Sequence, residues 1–327
     1  VNPFPLTWGA FVPQGWKREL RGLDGAAAWT VARGFAAAAE GAGYDHLWVY
    51  DHVETVPVRE ATHCFEAYTM LAALSQVTTR ARLGQMVTCT SYRNVGLLAK
   101  EAACIDVFSG GRLILGLGAG WYAAEYEAYG WRFPPARERL ALLEEAAAVI
   151  PRLWTEPGVT YDGAQVRLRD AHCDPKPLQQ PRPPVWVGGG GERVTLRIAA
   201  AYADATNWQV GLDAFRHKSA VLAAHCERLG RDPAGIMRTH APDCRLFDSE
   251  ADLRRWLEAP GGGHLWGRVP PDEYVRDNLV GTPERVAEAV QGYVDAGCRA
   301  FVLWFRDAPS TESLERFMAE VVPTVRV

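Results

Sequence analysis

Short apolar runs alternate along the chain with longer stretches in which alanine and leucine recur at helical spacing. The short runs are rich in β-branched and aromatic residues and predict strands at Leu6 to Phe11, His46 to Tyr50, Leu83 to Cys89, Leu113 to Leu117, Val185 to Val187, Ala205 to Trp208, Thr239 to Phe247 and Ala300 to Phe305. Helices are expected between them, among others over Ala26 to Ala42, Asn94 to Val107, Arg137 to Trp154, Val194 to Tyr202 and Pro283 to Ala296. Thr282 and Pro283 read as an N-cap followed by a first-turn proline, and Gly41 and Gly43 as the glycines that close the first long helix. Such alternation implies parallel strands covered by helices, an α/β class. Eight strands suit a closed (β/α)8 TIM barrel; counting alone leaves an open doubly wound sheet as the alternative.

Two stretches interrupt the alternation. Thr155 to Pro184 holds six prolines and reads as a loop carrying a hairpin near Val159 to Gly163. Ala259 to Pro271 is rich in glycine, proline and aromatics, and is either a binding lid or a surface loop. Internal repeats and low-complexity tracts are absent.

Composition narrows the function classes. Hydrophobic residues make up 48% of the 327 positions and charged residues 23%, ordinary globular usage that disfavours disorder. The net charge of −4 and the lack of a basic stripe argue against a nucleic-acid partner. No apolar run reaches the roughly 18 residues a membrane span needs, and Val1 to Trp8 has no secretory pattern, so a cytoplasmic protein is expected. The seven cysteines are scattered without a C-x-x-C pair, which predicts reduced thiols and no structural zinc.

In a barrel of this class, chemistry gathers at the C-terminal ends of the strands. Asp51 and His52 follow directly on the run His46 to Tyr50, and a histidine there is suited to general acid or base work, although a strand-end pair is also a common structural device. Gly188, Gly189, Gly190 and Gly191 separate a strand from a helix expected to begin at Glu192. A glycine turn leading into a helix N-terminus is a phosphate cradle, with Arg193, Thr195 and Arg197 at hand to complete it. A second run, Gly116 to Trp121, has G-x-G-x-G spacing. It lacks the third-glycine position and the acidic residue of a dinucleotide fingerprint, and reads as a strand ending in a tight loop beside a ligand. Asp51, His52, Glu54 and His63 sit too close together in one loop for a strand-distributed metal site, so no metal is expected.

Taken together, these residues resemble the bacterial luciferase-like family. The resemblance is carried by Asp51-His52, by Val87-Thr88-Cys89 with Tyr92-Arg93-Asn94, and by Gly110 to Phe133 with Glu125-Tyr126-Glu127-Ala128-Tyr129-Gly130. Arg137 to Trp154, Cys173 to Pro177, Gly188 to Arg197 and Ala203-Asp204 complete it. It covers most of one expected domain, residues 1–327, and is weakest over a less typical insertion at about 245–278. The form Gly-Gly-Gly-Gly-Glu-Arg-x-Thr-Leu-Arg resembles the branch that uses the deazaflavin coenzyme F420.

The resemblance implies a luciferase-like (β/α)8 barrel with insertion loops and a flat cofactor ring at the strand C-termini. The ring would lie against a third-strand bulge containing a non-proline cis peptide, here Met86–Val87 followed by Thr88. The cofactor tail would lie along Gly188 to Gly191, Glu192 and Arg193. His52, with Asp51, matches a proton-transferring position. Trp121 stands where sugar-phosphate dehydrogenases of the family carry a glutamate proton donor, which argues against that reaction and makes Trp121 and Tyr122 an aromatic wall for the substrate. Arg93 serves either the cofactor or an ion pair. The leading expectation is hydride transfer between coenzyme F420 and a small organic substrate. The alternatives are a two-component monooxygenase using reduced FMN and a flavin-binding protein without turnover. Expected partners are the small-molecule substrate and, if the chain self-associates, a second copy in a homodimer.

Overall fold

Parallel pairing decides the architecture. In the computed structural model, which describes residues 3–56, 58–259 and 269–327, eight strands pair side by side and close on themselves. They are β1 (Thr7–Phe11), β2 (His46–Val49), β3 (Arg82–Gln85), β4 (Leu113–Gly118), β5 (Val185–Gly188), β6 (Ala205–Trp208), β7 (Met237–His240) and β8 (Cys298–Phe305). Closure comes from β8 lying parallel to β1, with Thr7 opposite Ala300 and Ala10 opposite Leu303. That pairing makes the fold a (β/α)8 barrel and excludes the open sheet. The helices α1 (Gly25–Ala42), α2 (Ala67–Val77), α3 (Val95–Phe108), α4 (Ala136–Thr155), α5 (Thr195–Tyr202), α6 (Leu212–Arg228) and α7 (Pro283–Asp295) wrap the outside.

Period-two alternation gives each strand an inner and an outer face. In β2, Leu47 and Val49 join the layer under the helices, which includes Phe35, Leu71 and Leu98. Trp48 points into the barrel, where Phe11, Ile114, Trp186, Ala205 and Val302 fill the centre. Trp48 and Trp186 meet there with ring centroids 4.7 Å apart. Burial of each such side chain stabilises the fold by roughly 1.5–3 kcal/mol.

The expected elements are present with shifted bounds, and the shifts have physical causes. The run Leu83 to Cys89 is two pieces, because β3 stops at Gln85 and pairing with β4 resumes only at Thr88–Cys89. Between them the Met86–Val87 peptide is cis, as the resemblance implied. The run Thr239 to Phe247 also divides, into β7 and a strand Asp243–Leu246 that pairs with the far end of β8. The break falls at Ala241-Pro242, where proline has no N–H to give a ladder. Gly41 lies inside α1, and Gly43 alone closes it, at φ +104°. The hairpin in the proline-rich stretch pairs Val159–Asp162 with Arg167–Ala171. Of the Ala259 to Pro271 stretch, residues 260–268 lie outside the described residues.

Three glycines in β4 and β5 serve the bulge after β3. A Cβ on Gly118 would stand 2.3 Å from Val87 Cγ2, one on Gly188 2.5 Å from Val87 Cγ1, and one on Gly116 2.0 Å from the Gln85 carbonyl oxygen. Gly116→Ala therefore drives a methyl into backbone and is expected to cost about 3 kcal/mol, the upper end of ordinary overpacking penalties. Gly34→Ala, on the exposed face of α1 with nothing within 4 Å of the added methyl, should instead stabilise by about 0.5–1 kcal/mol. Urea denaturation of the two variants checks both signs.

Candidate active site

A cleft opens at the C-terminal ends of the strands. It has two lobes, of about 450 Å³ and about 310 Å³, which share Tyr50, Met86, Val87, Gly120, Trp121 and Gln209 as common walls. The larger lobe runs from Phe11 and Val87 to Gly188, Gly189, Gly190 and Thr195; the smaller is bounded by Trp16, His52 and Tyr122. Both glycine-rich stretches and the Asp51-His52 turn thus meet in one space.

At the large lobe's end, β5 finishes at Gly188 and the chain turns through Gly189, whose φ of +118° is reserved for glycine. Glu192 to Val194 form a turn, so α5 begins at Thr195 and not at the expected Glu192. This rearranges the expected cradle. Gly188, Gly189 and Gly190 face the cleft together with Thr195. Glu192 instead bonds His217 and Lys218, Arg193 is exposed, and Arg197 is held by Glu144 at 2.6 and 2.8 Å. The cation that does reach the loop is Lys218 from α6, whose Nζ donates to the Gly190 carbonyl at 2.7 Å. No local signal marks Lys218, since it lies one helix downstream. Asn207, Trp208 and Gln209, also in the wall, follow the strand-end rule and were readable from it.

Around the smaller lobe the aromatic rings form a continuous run of contacts, stacked at its ends and tilted between Tyr50 and Trp16. Phe11 lies 4.1 Å from Tyr50, Tyr50 4.1 Å from Trp16, and Trp16 4.4 Å from His52 with the two rings within 1° of parallel. Trp121 and Tyr122 meet the His52 ring edge-on, and Trp121 remains 61% exposed at the cleft mouth.

His52 is oriented by a residue that sequence reasoning did not assign. Its Nδ1 is 2.6 Å from Oε2 of Glu125, a carboxylate with no solvent exposure. The same oxygen accepts from Tyr92 at 2.9 Å, while Oε1 accepts the Val53 and Glu54 N–H groups at 2.9 and 3.2 Å. Burial by itself would raise the Glu125 carboxyl. The hydrogen bonds from His52, Val53 and Tyr92 and the adjacent imidazole hold it below the ordinary glutamate value. An ionised carboxylate so close requires the proton on Nδ1, which leaves Nε2 as the nitrogen that can exchange a proton with a ligand. Glu125 lies in the first turn of a short helix, Ala123–Ala128, within a motif already carrying the resemblance.

Asp51 has a different post. Its carboxylate takes two hydrogen bonds from Arg93, at 2.6 and 2.8 Å, and a third from the Cys89 N–H at 2.8 Å. Arg93 also reaches Glu66, the N-cap of α2, at 2.6 Å. The pair ties the end of β2 to the segment after the bulge, so Arg93 makes the ion pair that was one of its two expected roles. Thr88 is buried, with its hydroxyl on Tyr68, and does not reach the cleft. The clustered acids and histidines disperse as well. Glu54 turns to Arg59 and His63 bonds the Leu23 carbonyl, and among the described residues no group of three or more His, Cys, Asp or Glu could hold a metal. Nor is any described helix long and apolar enough to cross a membrane.

A sequence profile described as luciferase-like monooxygenase matches residues 15–261. An F420-dependent glucose-6-phosphate dehydrogenase of Kineococcus radiotolerans is 32% identical, over 89% of this chain and 92% of its own. An FMNH(2)-dependent dimethylsulfone monooxygenase of Pseudomonas putida is 27% identical over 70% of each chain. Among solved structures, an F420-dependent secondary alcohol dehydrogenase in complex with an F420-acetone adduct superimposes with a TM-score of 0.82 at 20% identity, covering 99% of this chain and all of that one, which shows a shared fold.

The buried Asp51–Arg93 pair yields a stability prediction. Arg93→Met leaves a desolvated carboxylate without its partner and should cost about 3–5 kcal/mol. The double variant Asp51→Asn, Arg93→Met should recover much of that loss, as read from urea denaturation midpoints.

Proposed function

The chain belongs to the luciferase-like monooxygenase family, and we propose that within it the protein is a coenzyme F420-dependent oxidoreductase that moves a hydride between the deazaflavin and a small organic substrate. The observation that carries this reading is the continuity of the cleft from the glycine loop at the end of β5, past Val87, to His52. A long cofactor with a flat ring and an anionic tail fits that shape. Gly189 and Gly190 offer backbone without side chains and Lys218 supplies positive charge beside the tail. Met86 and Val87 would bear on one side of the ring, with the Phe11–Tyr50 stack forming an apolar wall nearby. When bound, the deazaflavin supplies a ring carbon that accepts or gives up a hydride, so no protein group need change oxidation state.

The chain's residues position the reactants and handle the proton. His52 Nε2 takes the hydroxyl proton when an alcohol carbon gives up its hydride, or returns it to the oxygen in the reverse direction. Glu125 stabilises the imidazolium formed in that step and fixes the ring against rotation, and Trp16 holds its face. Asp51 and Arg93 act as positioning residues for this segment. Trp121 and Tyr122 present aromatic surface to the substrate, so the proton passes through His52 and not through position 121.

Titration should quench the fluorescence of coenzyme F420 with a dissociation constant in the micromolar range or below, corresponding to about −8 kcal/mol; absence of quenching at high protein concentration overturns the reading. Reduced FMN, named for the Pseudomonas putida relative, is the competing guest, and the absorption maximum of the bound cofactor tells the two apart. His52→Ala is expected to lower turnover by roughly 10²–10⁴ while quenching persists. Glu125→Gln should lower it by roughly 10–100-fold and displace the pH profile. Lys218→Met should weaken the cofactor without changing the turnover of the saturated enzyme.

A further inference from the structure

Two neighbouring residues after the bulge grip two neighbouring residues after β2. Arg93 binds the Asp51 carboxylate directly, and Tyr92 reaches His52 through Glu125. The Tyr92 hydroxyl donates at 2.9 Å to Oε2, the same oxygen that lies 2.6 Å from His52 Nδ1. Tyr92 is firmly placed for this. Its N–H donates to the Cys89 carbonyl at 3.0 Å, and its ring packs 4.3 Å from that of Trp131 and 4.8 Å from that of Tyr126. The residue lines the smaller lobe of the cleft, but its hydroxyl is spent on Glu125.

Oε2 is therefore divided between two donors of different kinds. The imidazole gains and loses a proton in the step assigned to it. The phenol stays neutral, because burial and the adjacent Glu125 charge hold its ionisation far above the usual tyrosine value. A hydrogen bond to an ionised group disperses its charge, and the effect grows where water is excluded, as at the fully buried Glu125. Burial would raise the Glu125 carboxyl, and the hydrogen bonds from His52, Val53 and Tyr92 keep it low. The share that Tyr92 takes is negative charge that would otherwise attract the imidazolium. The remaining titratable groups near His52 are engaged elsewhere on it or beside it. Asp51 is held by Arg93 and the Cys89 N–H, Glu54 turns to Arg59, and the Cys64 thiol bonds the His52 carbonyl. Tyr122 meets the imidazole edge-on, and Lys17 lies against Trp16, the ring that stacks on it.

We propose that Tyr92 is a positioning residue for the proton step. By sharing Oε2 of Glu125 with His52, it limits the negative charge that the imidazole meets and so sets the pH at which the His52–Glu125 pair takes its proton. The inference deepens the proposed function and rests on it only in giving His52 the proton transfer.

The test needs neither cofactor nor substrate. The full chain is prepared with isotopically labelled histidine, and the His52 ring, identified among the eight histidines by its loss in His52→Ala, is titrated by NMR. Tyr92→Phe removes one donor from the carboxylate and keeps the ring packing. Its His52 midpoint should lie above that of the parent by about half a pH unit, a roughly three-fold tighter hold on the proton. Glu125→Gln removes the charge itself and should move the midpoint the other way. Tyr126→Phe, whose lost hydroxyl bonds Cys89 and Ser91, should leave it in place. General loosening of the site cannot produce opposite signs in the first two variants. A Tyr92→Phe midpoint that matches the parent or falls below it overturns the assignment, as does an equal rise in Tyr126→Phe. With substrate, the pH profile of turnover should move in the same directions. Quenching of coenzyme F420 by the same proteins keeps the two readings apart. Quenching with unmoved midpoints refutes the role of Tyr92 alone, and midpoints that move as expected without quenching refute the cofactor assignment alone.

Discussion

Val87 sits where two neighbouring strands have given up their Cβ atoms. Gly118 of β4 and Gly188 of β5 leave room for its two methyl groups, and Gly116 leaves room for the carbonyl of Gln85 behind it. This packing constraint sets the shape of the site. It lets the chain bulge inward after β3, puts Met86 and Val87 into the wall shared by both lobes of the cleft, and brings Cys89 to the carboxylate of Asp51. Interiors are packed densely enough that one methyl at any of the three glycines would have to displace the bulge. Gly188 therefore has a part in the bulge as well as in the loop that follows it.

Around that frame, two buried carboxylates are held by complete hydrogen-bond networks. Asp51 with Arg93 and Glu125 with His52 are saturated: every oxygen of both carboxylates has a donor, so their geometry is rigid. Rigidity of this sort fixes the orientation of the imidazole that exchanges protons.

Much of this was legible in the chain. Each strand was found within a few residues because its period is local, and the two misjudged runs, Leu83 to Cys89 and Thr239 to Phe247, are the ones interrupted by a bulge and by Pro242. His52 was legible because it follows directly on a strand, whereas Val87, Trp121 and Tyr122 were expected from the family resemblance; all four line the cleft. The errors concern reach. Arg193 and Arg197 were chosen for proximity along the chain, yet Arg193 is exposed, Arg197 is occupied by Glu144, and the cation at the glycine loop is Lys218. Thr88 was carried along with its neighbours, although strand alternation turns it away toward Tyr68.

The glycine run shows the division most clearly. By itself the sequence determined that a strand runs up to the glycines, that a turn with freedom for positive φ follows, and that a helix comes after, since all three depend on neighbouring residues alone. Only the tertiary structure decided that α5 starts at Thr195, that Gly188 yields space to Val87, and that Lys218 arrives from the next helix. It likewise decided that Glu125 would meet His52 across 73 positions of sequence. The physical reason is barrel closure: once β8 pairs with β1 the register of every strand is set, and with it which distant side chains share the space at the strand ends.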